Sequence, residues 1–310
     1  MKVSVILCTK NPKPLYIQAT VRAILNQNYT RQFEFIVVDN YSAKNVRDHF
    51  LNIRKIKWVL EKKPGLTSAR LRGLQESKGE LLVFVDDDNI LSKDYIRSAV
   101  KMAIQDPKTG VWSAEITGNF EVKPPAWAKK YMPFLALITH SKEKISSCPD
   151  GGTLPIGAGM VVRRSIMNTY AKEVKCCPIR SVLDRRPGTL MAGGDTDIGY
   201  TAIRLGYGCR YTKKLRLTHL IPKERLEPNY LFQLAKDITA SHQILKRIHL
   251  KQSESYLDRA KALIAKIACI IISPKSKRGL QIATLLGKRE GNKKVDLISK
   301  VTRDNPTKTA

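Results

Sequence analysis

Glu80-Leu81-Leu82-Val83-Phe84-Val85-Asp86-Asp87-Asp88 runs from an apolar stretch directly into three carboxylates. Leu81 to Val85 has no polar face, and a strand that is apolar on both sides belongs in a sheet covered on both sides. The pattern recurs along the chain. Val3 to Leu7 ends in Cys8-Thr9-Lys10-Asn11-Pro12, Phe33 to Val38 ends in Asp39-Asn40, and Lys57 to Leu60 is a weaker third strand. Between them, Leu15, Ala19, Val21, Ile24 and Leu25 mark a helix with one apolar side, and a second helix is expected from about Thr67 to Ser77. Strands alternating with helices predict an α/β fold built on a mostly parallel sheet flanked by helices. In such sheets ligands bind beyond the carboxyl ends of the strands. Thr9, Asp39 and Asp86 all stand at those ends.

Three consecutive carboxylates after a buried strand repel one another unless a cation joins them. In a strand-like run Asp86 and Asp88 point one way and Asp87 the other. Two carboxylates on one side suit a hard divalent cation, which takes its remaining ligands from substrate phosphates; a solvated acidic turn is the plain alternative. A second constellation is Gly193-Gly194-Asp195-Thr196-Asp197, just before an expected helix over 196–205. Asp195 reads either as a helix cap or as a general base for an attacking hydroxyl. His219, in Leu217-Thr218-His219-Leu220-Ile221-Pro222, reads equally as a metal ligand or a buried structural histidine.

From about residue 110 the pattern loosens, and residues 118–156 read as a variable, substrate-facing segment containing Trp127. Trp127 could stack on a ring or apolar chain of a ligand, or simply pack against its proline neighbours. Pro155 to Val162 reads as a strand. Leu231, Leu234, Ile238, Leu245 and Ile248 recur at helical spacing between Asn229 and His249, and the last 20 residues are polar and expected to fray.

Fifty-five Lys and Arg against twenty-seven Asp and Glu leave a formal charge of +28 on 310 residues. That predicts attraction to a polyanion without naming it. The charge is spread along the chain, and no recognition-helix, zinc-finger or RNA-binding pattern is present, so nucleic acid is not the expected partner. A nucleotidyltransferase would also use acids at a sheet edge, but Thr9-Lys10-Asn11-Pro12 is a poor phosphate loop. The six cysteines, at 8, 148, 176, 177, 209 and 269, form no C-x-x-C pair. They read as reduced thiols of a cytoplasmic chain. Met1-Lys2-Val3 enters a strand at once, with no room for a signal peptide.

Six ordered motifs sharpen this reading. Ser4 to Asn11, Val37 to Ser42, Gly65-Leu66-Thr67-Ser68-Ala69-Arg70, Asp86-Asp87-Asp88, Gly157-Ala158-Gly159-Met160 with Gly194-Asp195-Thr196-Asp197, and His219-Leu220-Ile221-Pro222 resemble the family-2 glycosyltransferases of GT-A fold. The resemblance covers roughly residues 1–226. It implies an inverting, metal-dependent transfer of a sugar from a nucleotide-diphosphate donor, UDP-sugars first, to a saccharide or lipid-linked hydroxyl. It assigns Thr9, Asn11, Asp39, Arg70, Asp86 and Asp87 to the nucleotide-sugar, Asp88 and His219 to Mn²⁺ or Mg²⁺, and Asp195 to the catalytic base. One departure stands out. The family usually carries Glu before the base, and here position 194 is Gly. Asp197 therefore competes with Asp195, and a catalytically inactive scaffold is the alternative function.

The expected organisation is a GT-A domain over 1–226, a basic helical segment over 227–290 and a polar tail over 291–310. Residues 259–289 hold eight Lys or Arg and no acid, flanking the apolar run Ala262 to Ile272. That composition suits a segment lying in the interface of an anionic membrane, with the chain peripheral at its inner face. Arg185-Arg186 could meet an acceptor phosphate, or form a solvated basic turn.

Overall fold

The computed structural model describes residues 1–50, 53, 55–148, 154–250, 266, 267, 270, 273 and 275–304. Its contacts divide the chain into two compact units: residues 1–121, 136–187 and 194–221, and residues 122–135, 188–193 and 222–310.

Among the described residues the first unit holds a nine-stranded sheet. Its parallel half is β3 (Ile56–Leu60), β2 (Glu34–Asp39), β1 (Val3–Thr9) and β4 (Leu81–Asp86), side by side in that order. The other half is mixed. The short β8 (Val161–Arg163) lies antiparallel to both β4 and β6 (Thr109–Phe120), while β9 (Gly208–Ile221) runs parallel to β6. β5 (Asn89–Leu91) and β7 (Lys144–Ser146) both pair antiparallel with β9.

The two-residue period of the strands sorts the core into two layers. Val3, Val5 and Leu7 of β1 join α1 (Pro14–Leu25) and α3 (Tyr95–Gln105) through Ile17, Val21, Ile24, Ile96 and Ala99. Ile6 and Cys8 face the other way, towards α2 (Leu66–Glu76), α4 (Arg164–Cys176) and α5 (Gly194–Arg204), meeting Ala69, Leu74, Ile166, Tyr170, Ile198 and Ala202. The expected α/β fold and the first four strands are therefore found, each within a residue or two.

The Pro155–Val162 stretch is corrected: only Val161 onward is strand. Gly159 takes φ +69, and a Cβ there would lie 2.5 Å from the Tyr95 hydroxyl. Tyr95 donates to the Gly159 carbonyl, so the chain arrives as a glycine loop against a buried tyrosine and not as an extended strand.

In the second unit, α6 (Pro228–His249) packs alongside α7 (Lys275–Asp304). The helices run parallel, since Lys236, Gln243 and Arg247 meet Glu290, Asn292 and Asp296 in rising order. A Cβ on Gly287 would lie 2.2 Å from the Lys236 carbonyl oxygen, and one on Gly291 2.7 Å from that of Ala240. Asp237 and Ser241 of α6 hold the preceding 189–192 loop, accepting the Leu190 N–H at 2.7 Å and the Ala192 N–H at 3.3 Å. Residues 291–304, expected to fray, continue α7. The apolar run 262–272 lies outside the described residues except for 266, 267 and 270.

Candidate active site

The carboxyl ends of β1, β2 and β4 lie side by side, Thr9 level with Asp39 and Cys8 level with Asp86. The Thr9 hydroxyl donates to Asp87 Oδ2, so the middle acid of the triplet turns back towards β1. Asn11 sits at φ +48; it donates its N–H to the Ser42 hydroxyl at 2.8 Å and accepts the Ala43 N–H at 2.8 Å. Asp39 Oδ1 accepts the Ser42 N–H at 3.0 Å. The loops after β1 and β2 are thus tied into one rim.

β4 ends at Asp86 and the chain turns into β5, whose Asn89 is level with His219 of β9. That pairing brings His219 Nε2 within 3.3 Å of Asp88 Oδ2, although the residues are 131 positions apart. Both are buried. Asn89 fixes the turn: its Nδ2 donates to Asp88 Oδ1 at 2.9 Å and its Oδ1 accepts the Asp86 N–H at 3.2 Å.

Arg70 of α2 is the electrostatic centre. Its side chain is 4% exposed and donates from Nη1 to Asp184 Oδ2 at 3.0 Å. Burial works against its charge, but Asp184, Asp86 and Asp195 outweigh burial and hold the guanidinium protonated. A Cβ on Gly157 would lie 2.2 Å from Arg70 Nη2 and 3.3 Å from Asp195 Oδ2, so the bare glycine lets guanidinium and carboxylate approach the same spot. Asp195 Oδ2 accepts the Gly157 N–H at 2.6 Å, and Oδ1 accepts the Thr196 N–H at 2.7 Å. Burial pushes the proton affinity of Asp195 up; Arg70 opposes it and Asp184 adds to it. Burial also raises Asp86, with Arg70 opposing, Asp88 adding, and His219 and Arg185 opposing. Burial pushes the neighbouring Cys8 thiol up to about 12, which keeps it protonated at neutral pH.

Asp197 has a different role. Its carboxylate is fully buried and makes a two-point pair with Arg180, Nε to Oδ2 at 2.8 Å and Nη2 to Oδ1 at 2.9 Å. Arg180 also meets Glu173 and Thr201, so Asp197 belongs to the join between α4 and α5. Trp127 is partly exposed and packs edge-on against Tyr131 within the second unit.

Two buried residues escaped the sequence reading. Asn40 donates to the carbonyls of Glu61 at 3.1 Å and Lys63 at 2.8 Å, and accepts the Gly65 N–H at 2.7 Å, where the chain turns into α2 at φ +125. Asp184 accepts from Thr67, Arg70 and the Gly194 N–H. The only sequence signal for Asp184 is the missing side chain at 194.

The donor set fits a cation shared with a diphosphate better than a protein-only cage. Among the described residues no group of three or more His, Cys, Asp or Glu side chains is arranged to hold a metal. Asp88 and His219 supply one oxygen and one nitrogen 3.3 Å apart, a two-ligand set that a diphosphate and water would complete.

The profile described as "Glycosyl transferase family 2" matches residues 4–170, more than half of the chain. The chain belongs to glycosyl transferase family 2. This family 2 member is 23% identical over 244 residues to an N-acetylglucosaminyltransferase of Rhizobium sp. (strain N33), covering 74% of this chain and 50% of that protein. It is 30% identical over 108 residues to a putative teichuronic acid biosynthesis glycosyltransferase, TuaG, of Bacillus subtilis (strain 168), covering 33% of this chain and 42% of that one. The chain thus spans about half the length, or less, of these two relatives. Among solved structures, the mannosyltransferase PcManGT of Pyrobaculum calidifontis, in complex with GDP-Man and Mn²⁺, aligns with TM-score 0.57 at 17% identity, covering 99% of this chain and 81% of that one. S. aureus TarS 1-349 in complex with UDP aligns with TM-score 0.52 at 14% identity, covering 96% and 92%. At these identities the two structures speak to the fold, which is the GT-A architecture expected from the sequence.

Proposed function

We propose that this chain transfers a sugar from a nucleotide-diphosphate donor to a hydroxyl of a saccharide or lipid-linked acceptor, with inversion and with a divalent cation. The observation that carries the reading is the convergence of Arg70, Asp86 and Asp195 beside the Asp88–His219 pair, at the carboxyl ends of β1 and β4. Thr9, Asn11 and Asp39 line the rim where the nucleoside would lie, with Asp86 and Asp87 beneath it. Mn²⁺ or Mg²⁺ held by Asp88 and His219 would neutralise charge on the diphosphate. The bound GDP-Man with Mn²⁺ of one structural neighbour and the UDP of the other support a nucleotide donor.

Asp195 is the base in this reading. Its raised proton affinity makes it a stronger acceptor for the attacking hydroxyl's proton, and the N–H groups of Gly157 and Thr196 aim the carboxylate. Arg70 is already charged and buried before substrate arrives, so it stabilises the departing diphosphate without reorganising. Asp197 is engaged by Arg180, which leaves Asp195 as the stronger candidate.

An anionic membrane surface is the proposed docking partner. Helix α7 leaves Ile282, Leu286 and Leu297 exposed in a segment that also carries Lys288, Arg289 and Lys293, a composition suited to a lipid interface. Among the described residues no helix is long and apolar enough to cross a membrane.

The test is a donor screen: purified protein, Mn²⁺ or Mg²⁺, a panel of nucleotide-sugars, and detection of released nucleoside diphosphate. Metal-dependent release from one donor, lost in Asp88→Ala with folding intact, supports the transferase. No release and no nucleotide binding by calorimetry across the panel sinks it and favours the scaffold reading.

A further inference from the structure

Position 194 is glycine for a reason the backbone does not supply. Its φ is not in the left-handed region, so any L residue could adopt its conformation. The obstacle is Asp184. A Cβ on residue 194 would lie 2.2 Å from Asp184 Oδ2 and 2.6 Å from its Cγ, far inside van der Waals contact. The carboxylate of Asp184 fills the volume that a side chain at 194 would need.

From that position Asp184 makes three bonds with three jobs. Oδ1 accepts the Gly194 N–H at 2.9 Å, at the first residue of α5, where the helix dipole favours a negative charge. Oδ2 accepts from the Thr67 hydroxyl at 3.1 Å in the first turn of α2, and from Arg70 Nη1 at 3.0 Å one turn further on. The backbone beside it is fastened to the same helix start, since the Arg185 carbonyl accepts the Leu66 N–H at 3.0 Å. One buried carboxylate therefore joins the helix that carries Arg70 to the helix that carries Asp195.

We infer that Asp184 is a positioning residue for the transfer: it fixes Arg70 and the first turn of α5 so that the guanidinium and the Asp195 carboxylate meet at Gly157, and Gly194 exists to admit it. The inference rests on the transferase reading above. Electrostatics points the same way as geometry. The groups that act on Asp195 are Arg70, Asp184 and the N–H groups of Gly157 and Thr196, while Arg180 binds Glu173 of α4 and Asp197 of α5. Asp184 offsets part of the Arg70 charge and so keeps the proton affinity of Asp195 high.

Two tests decide this. Asp184→Asn keeps the shape and removes the charge. The expected result is a kcat lowered by about 10- to 100-fold, with KM for the donor little changed. The acid limb of the kcat profile should also move to lower pH, because Arg70 is then less compensated beside Asp195. A purely structural residue would lower the melting temperature and leave that limb in place. The second test relocates the carboxylate. Asp184→Gly and Gly194→Asp should each lose activity and melting temperature, and the double variant should regain both above either single one. Wild-type kcat and an unmoved limb in Asp184→Asn overturn the inference, as does a double variant no better than Asp184→Gly. The melting cycle needs no turnover. If the wild-type protein neither releases nor binds nucleotide, the transferase reading fails while the 184–194 relationship is still decided by melting.

Discussion

Asp88 and His219 face each other across 3.3 Å although 131 residues separate them in the chain. The antiparallel β5–β9 pairing brings them together, setting Asn89 level with His219 immediately after the acidic triplet. If the pair holds the cation, nucleoside diphosphate binding should tighten on adding Mn²⁺ in the wild type. Most of that gain should vanish in Asp88→Ala and in His219→Ala. Titration calorimetry with and without metal reads this directly, and an undiminished metal-dependent gain in both variants would remove them from the cation site.

Asp195 gives a prediction in pH. A base must be ionised to accept a proton, and burial raises the pH at which Asp195 loses its own, with Arg70 opposing. Activity should therefore fall, as pH is lowered, at a value above the ordinary aspartate pKa of about 4. Asp195→Asn should lower kcat by about 10²- to 10⁴-fold and abolish this limb. A limb retained in that variant would assign it to another group.

The Arg180–Asp197 pair should matter to folding. Arg180→Met removes the two-point ion pair of the buried Asp197, at a cost of about 3–5 kcal/mol. Pairing it with Asp197→Leu should recover much of that loss. Urea denaturation of the two variants measures both numbers, and a single variant as stable as the wild type would mean the pair contributes nothing.

Asn40→Ala removes a buried side chain that bonds the Glu61 and Lys63 carbonyls and the Gly65 N–H. Leaving these groups without their partner should cost about 1–3 kcal/mol. The loss should appear as faster hydrogen exchange in the first turn of α2, and unchanged exchange there would show that α2 starts independently of Asn40.

What could be read in the sequence is what is local. Thr9, Asp39 and Asp86 were legible because an apolar run that stops at a polar residue is visible within ten positions. Helix α6 was legible through its apolar spacing. The pairing of Asp88 with His219 was legible only through the family resemblance, because in the residues themselves it depends on a three-residue strand meeting a distant one. Asp184 was hidden for the same reason: between Leu183 and Arg185 nothing marks it, and its meaning lies in the glycine ten residues later. The end of helix α7 was underestimated because a polar terminal stretch reads as frayed when it stands alone. The value of Gly287 and Gly291 likewise appears only once α6 lies against them.

That glycine seam also determines how far α7 can slip along α6. Gly279, Ala283, Gly287 and Gly291 recur every four residues, which suggests a set of equivalent stops about 6 Å apart. They are not equivalent. Sliding by one step in one direction would bring the Ala283 methyl to the Lys236 carbonyl, where a Cβ has only 2.2 Å, and the opposite step would bring Val295 to the Ala240 carbonyl, where it has 2.7 Å. Two glycines flanked by larger neighbours thus act as a key with a single seat, and a helix that looks repetitive in composition has one allowed alignment.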